Sequence, residues 1–112
     1  MTVTARDLLT KARTVIADPA HWTTGTYARD ADGVATQADS PYAKCFCTYG
    51  AVQRAAVELR ARPASVNEAY QALQDQAHTG SWSYHTVATI NDQLGHEAAL
   101  KLLDHSIEAA RP

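Results

Sequence analysis

Apolar positions recur at helical spacing along most of the chain, and the breaks between the runs fall at proline, glycine and Asx residues. Over residues 5–17, Leu8, Leu9, Ala12, Val15 and Ile16 line one face while Arg6, Lys11, Arg13 and Thr14 point away, which predicts an amphipathic helix. Thr4, three residues ahead of Asp7, offers an oxygen to the unpaired amides of the first turn, and the acid suits the helix dipole. Asp18-Pro19 ends the run, because the residue before proline is pushed out of the helical region. A second helix is expected from near Tyr42 or Ala43 to about residue 60, with a narrow face of Cys47, Ala51, Val52, Ala55, Ala56 and Leu59. Gly50 inside it costs about 1 kcal/mol relative to alanine, and close approach of another backbone is the expected return.

Arg62-Pro63 interrupts the pattern, and Ser65 with Glu68 reads as a capping box that starts a third helix through Tyr70, Leu73 and Ala77 to about His78. Residues 82–94 carry two periods at once. Trp82, Tyr84, Thr86, Ala88 and Ile90 alternate as a strand would, whereas Tyr84, Val87, Ala88 and Asn91 fit a helix; helix is the preferred reading. After Gly95, a last helix over 96–110 shows a stripe of Ala99, Leu102, Leu103 and Ile107.

Between the first two helices the pattern changes. Residues 22–28 are rich in β-branched and aromatic side chains, and Asp32-Gly33 is a turn signal ahead of Val34, so a short β-hairpin is expected. Such a hairpin is marginal alone and must lean on the helices, through Trp22 and Tyr27. Residues 35–41 read as a polar loop. The fold class is therefore mainly α (α+β): four to five packed helices with one short N-terminal β-hairpin, in a single domain spanning residues 1–112.

Composition narrows the function. A formal charge of −2 without clustered Lys or Arg argues against a nucleic-acid partner. No apolar run approaches the roughly 20 residues of a membrane span, and Arg6 and Asp7 interrupt the N-terminal leucines where a signal region would be apolar. A cytoplasmic location is expected. Cys45 and Cys47 are too close for an ordinary disulfide. The five histidines form no zinc-type spacing, so neither metal nor cofactor is expected.

Several side chains can carry chemistry. Cys47 near a helix start invites a lowered thiol pKa; the plainer reading makes it a small core hydrophobe. The order Cys47, His85, Asn91 matches a thiol hydrolase in which His85 is the base and Asn91 or Asp92 orients it, although no family-specific sequence surrounds the cysteine. Asn91-Asp92 at a helix junction reads first as a structural cap, and second as the edge of a shallow polar pocket beside Tyr27 and Arg29. Trp22, Tyr27, Arg29 and Trp82 are the candidates for a partner-binding surface, with Tyr42, Tyr49 and Tyr84 as further aromatics nearby.

The segments Trp22-Thr23-Thr24-Gly25-Thr26-Tyr27-Ala28-Arg29-Asp30-Ala31-Asp32-Gly33, Cys47-Thr48-Tyr49-Gly50-Ala51 and Ile90-Asn91-Asp92, in that order between an N-terminal helix and a final amphipathic one, carry a resemblance. The chain resembles a family of small proteins classed as a domain of unknown function, common in high-GC Gram-positive bacteria and their phages. The resemblance implies that Cys47, rather than Cys45, belongs to the shared pattern, that Gly50-Ala51 serves close packing, and that Asn91-Asp92 is part of the same arrangement. Family members often carry an aromatic before Asn-Asp, where this chain has Ile90. A phage association implies a small non-enzymatic interaction or regulatory protein whose protein partner is a host factor or a second copy; the alternative is the thiol-dependent hydrolase or transferase.

Overall fold

The chain is described by a computed structural model over residues 2–79 and 85–111. Helix α1, Ala5–Val15, begins with the expected reciprocal cap: Thr4 Oγ1 accepts from the Asp7 amide at 3.1 Å, and Asp7 Oδ2 accepts from the Thr4 amide at 2.9 Å. It ends two residues before the periodicity does. Asp18 there turns its carboxylate to the Ala20 amide and opens a single 3-10 turn, Pro19–His21. Leu8, Leu9, Ala12 and Ile16 are fully buried, and α1 packs against the three other long helices. At about 1.5–3 kcal/mol for each large apolar side chain removed from water, that stripe alone explains why α1 sits at the centre.

The expected hairpin is present but displaced. Strands β1, Ala28–Arg29, and β2, Ala35–Thr36, pair antiparallel in the register Ala28 to Thr36 and Arg29 to Ala35, so part of the anticipated 35–41 loop is strand. Residues 22–26 are mainly irregular. Asp30 closes the turn by accepting from the Asp32 and Val34 amides. The larger correction lies at Cys45–Phe46, read above as the start of a helix. These two residues form β3, which pairs antiparallel with the other edge of β1 and gives the strand order β2-β1-β3. Helix α2 therefore starts later, at Thr48, and runs to Leu59 with Arg60 as its left-handed cap. The open edge of β1 was a stronger claim on the Lys44 and Cys47 amides, which donate to Arg29 and Tyr27 carbonyls at 2.8 and 3.2 Å.

Helix α3, Pro63–Ala77, also departs from expectation at its start. Proline at the first helical position presets the backbone, and the Ser65–Glu68 capping box does not form. Ser65 is buried instead and donates to the Val3 carbonyl at 2.7 Å, tying the segment ahead of α1 to α3. A short helical turn, Val87–Thr89, labelled α4, runs on without a break into a π-helical turn, Ile90–Leu94. Gly95 then takes φ +97°, ψ 179°, a conformation open essentially to glycine alone, and α5 follows, His96–Ala109. The helical reading of 82–94 thus holds from Val87 onward, while Trp82 and Tyr84 lie outside the described residues. Asn91 and Asp92 lie inside the π turn rather than at a helix junction. The protein is mainly α, with a small three-stranded antiparallel sheet.

Candidate functional site

Three segments far apart in sequence meet at one side chain. Asn91 is 1% exposed. Its Oδ1 accepts from Trp22 Nε1 at 2.9 Å, from the Thr48 amide at 3.0 Å and from Thr48 Oγ1 at 2.9 Å. Its Nδ2 donates to the Thr23 carbonyl at 3.0 Å and to Asp92 Oδ1 at 2.9 Å. The amide is thereby fully committed to joining the Trp22–Thr23 segment, the first residue of α2 and the π turn. Widening of the helix at Ile90–Leu94 is what turns Asn91 inward while leaving the next residue, Asp92, at the surface.

Beside this hub lies a cleft of about 430 Å³, within the size range of ligand sites. One wall is the Gly25–Tyr27 loop, a second is Cys47–Tyr49 at the start of α2, and the third is Val87, Ala88 and Asp92. Asp92 is fixed on one side only, since its Oδ1 accepts from the Gly25 amide at 3.2 Å as well as from Asn91. Gly50 lets α2 approach the Tyr27 backbone. A Cβ at that position would collide with the Tyr27 carbonyl oxygen and lie 2.8 Å from its carbon, so the anticipated close approach is that of the backbone just ahead of β1 to α2. Tyr49 meets Tyr70 edge to face, with ring centres 5.1 Å apart. Burial, and secondarily the neighbouring Tyr27, Tyr49 and Cys47, raise the Tyr70 hydroxyl above its ordinary range despite an opposing hydrogen bond with Gln53.

Cys47 does belong to the site, but in a structural role. Its sulfur accepts from the Gly50 amide at 3.3 Å and so caps α2. Burial pushes its thiol up, outweighing the lowering by the Gly50 and Tyr49 amides, and the Asp92 charge pushes it the same way. The helix start that was expected to favour a thiolate is overcome by desolvation. In a Cys45→Ser background, iodoacetamide at pH 7 is expected to modify Cys47 at least about tenfold more slowly in the folded protein than in urea, accelerating only above the ordinary thiol range of about 8.5. Mass spectrometry follows the adduct; rapid folded-state modification at pH 7 would restore the thiol-enzyme reading. The sign for stability is the same: the unfolded chain ionises first as pH rises, so the contribution present below the ordinary thiol pKa is lost as pH passes the raised one. Cys47→Ser keeps a cap acceptor and is expected to stay within about 0.5 kcal/mol of wild type, whereas Cys47→Ala loses about 1 kcal/mol in urea unfolding.

The other candidates are distributed differently. His85 is not among the residues lining the cleft, its Nδ1 is buried without a hydrogen-bond partner among the described residues, and Asn91 has no capacity left to orient it. Trp22 is half-buried, bonded to Asn91 and tilted against His96 at 5.4 Å between ring centres. Arg29 clamps its own loop, donating to Thr23 Oγ1, the Gly33 carbonyl and the Thr24 carbonyl. Tyr27 is 53% exposed at the rim, and Trp82 falls outside the described residues. The sequence reading named Tyr49 among the aromatics but gave no site role to Gly25 or Thr48; the run Cys47-Thr48-Tyr49-Gly50 was the signal available. Among the described residues, no three His, Cys, Asp or Glu side chains converge to hold a metal ion, and no described helix is long and apolar enough to cross a membrane.

Fold and site together define a small, mainly helical domain with a cleft between sheet, helix start and π turn. The chain belongs to the Family of unknown function (DUF6197), whose profile matches residues 1–109. No curated protein and no solved structure matches it.

Proposed function

We propose that this protein is a non-enzymatic interaction protein that receives part of a protein partner in the cleft between Tyr27, Cys47 and Asp92. The observation that carries this reading is the state of the polar groups there: Asn91 is saturated by its own fold and Cys47 is a desolvated cap, while Tyr27 and Asp92 stand exposed at the rim. The first pair supports the wall and the second is accessible to a ligand. Catalysis by thiol would need an accessible nucleophile with a base in hydrogen-bond reach; the Cys47 sulfur bonds the Gly50 amide, and His85 is not among the residues lining the cleft. The partner is a host protein met in the bacterial cytoplasm, as the resemblance to phage-encoded proteins implies.

The test is site-specific photo-crosslinking in cells of the organism from which the chain comes. A photoreactive phenylalanine analogue at Ala88, exposed in the cleft wall, is expected to trap one discrete partner; the same analogue at Glu108, exposed on α5, is expected to trap none. Equal trapping at both positions, or none at Ala88, would overturn the assignment of the cleft as the binding surface.

A further inference from the structure

We infer that the part of the partner taken into this cleft is a basic side chain, a lysine or arginine whose cationic head meets Asp92 and whose aliphatic stem lies along the apolar wall. The inference rests on the cleft being the binding surface. Its first support is the direction in which the Asp92 carboxylate is held. Both bonds to the protein, from the Gly25 amide at 3.2 Å and from Asn91 Nδ2 at 2.9 Å, end on Oδ1. These donors fix the carboxylate in place, and no hydrogen bond among the described residues is made to Oδ2 of this exposed residue.

The second support is what surrounds that charge. No Lys, Arg or His lines the cleft, and among the described residues Asp92 enters no ion pair. Arg29 carries a positive charge near the Gly25 loop, its Nη2 3.7 Å from where a Cβ on Gly25 would be, but its N–H donors go to Thr23, Thr24 and Gly33 oxygens and none reaches Asp92. A cation entering the site therefore meets a carboxylate that no lining side chain pairs, next to low-dielectric walls, where attraction is stronger than at open surface.

Shape and wall chemistry agree with that charge. Val87 and Ala88 on one side and Tyr27 and Tyr49 on the other suit the methylene stem of lysine or arginine, which lies along apolar surface with its head in a polar environment. The exposed Tyr27 ring adds a face for a cation. An anionic ligand is disfavoured by the same carboxylate, and a wholly apolar one would leave it uncompensated.

The experiment titrates the ¹⁵N-labelled protein with n-butylguanidinium and n-butylammonium, using neutral n-butylurea as the control of equal length. Amide shifts are expected for the cations in the 25–27, 47–49 and 87–92 segments, with butylurea at least about tenfold weaker. Asp92→Asn keeps the Oδ1 acceptor, so the fold persists, and is expected to weaken the cations at least about tenfold. Raising salt weakens them further. Equal binding by butylurea, unchanged cation affinity in Asp92→Asn, or shifts confined to other segments would overturn the inference. If the cations fail while the Ala88 crosslink still traps its partner, the basic side chain alone is wrong; if the crosslink fails as well, the cleft is not the binding surface.

Discussion

Replacing Asn91 by alanine is expected to remove about 3–5 kcal/mol of stability, the largest loss from any single polar side chain in this protein. Trp22 Nε1, the Thr48 amide, Thr48 Oγ1 and the Thr23 carbonyl all lose their partner at once, and a buried polar group left unpaired costs about 1–3 kcal/mol. The total falls below the simple sum because water enters the vacated space and serves some of these groups. In thermal unfolding the loss corresponds to a fall of more than about 10 °C. Asn91→Asp separates the two halves of the amide. It keeps an acceptor for Trp22 and Thr48 but turns an oxygen toward the Thr23 carbonyl and the Asp92 carboxylate, where Nδ2 had donated. A loss of about 2–4 kcal/mol is expected for it. A drop under about 1 kcal/mol in either variant would mean that the hub does not hold the three segments together.

Gly50→Ala is expected to cost about 3 kcal/mol or more, even though alanine is the better helix former by about 1 kcal/mol. The new methyl meets backbone: the Tyr27 carbonyl that already accepts from the Cys47 amide at 3.2 Å. Neither side can give by rotating a side chain. Relief requires α2 to move away from the Tyr27 backbone, which strains the bond from the Cys47 amide to the Tyr27 carbonyl. Urea unfolding with the fluorescence of the tryptophans measures the loss, and a neutral or stabilising result would show that the Tyr27 carbonyl does not restrict the side chain at position 50.

How much of this was readable in the sequence depended on how local the cause was. The Thr4–Asp7 cap, the α1 stripe, the turn at Asp32-Gly33 and the stop at Gly95 depend on residues a few positions apart, and each is where the pattern placed it. Gly50 was legible for the same reason, as an energetic penalty inside a helix that needed an explanation. Strand β3 was not, because two residues are too few to show a period and Cys45–Phe46 adjoin a helical run. The Ser65–Glu68 signature was a true local signal overridden by Pro63 and by the Val3 carbonyl, more than sixty positions away.

The residues that line the candidate cleft were legible in part, and their roles were not. Cys47, Asn91, Asp92 and Tyr27 were singled out and the structure brings all four to one place. Their division of labour follows from burial and from partners that spacing does not reveal. A cysteine is an unusual helix cap, and an Asn-Asp pair reads as a local cap because its distant donors are invisible in the sequence. The π turn that separates Asn91 from Asp92 has no signature distinct from an ordinary helix.

The hub also fixes an order of events during synthesis. Its bonds from Asn91 to Thr48 and Trp22 close loops of 43 and 69 residues, so the walls supplied by the hairpin and α2 leave the ribosome before the residue that joins them. At about 5–20 residues per second, that interval is on the order of several seconds. Throughout it the Trp22 indole and the Thr48 hydroxyl have only water or a chaperone to bond with. The entropy of loop closure grows only with the logarithm of its length, so the delay adds little to the final thermodynamic cost. What it changes is timing: the cleft cannot engage a partner in its finished form until the C-terminal third of the chain has been made.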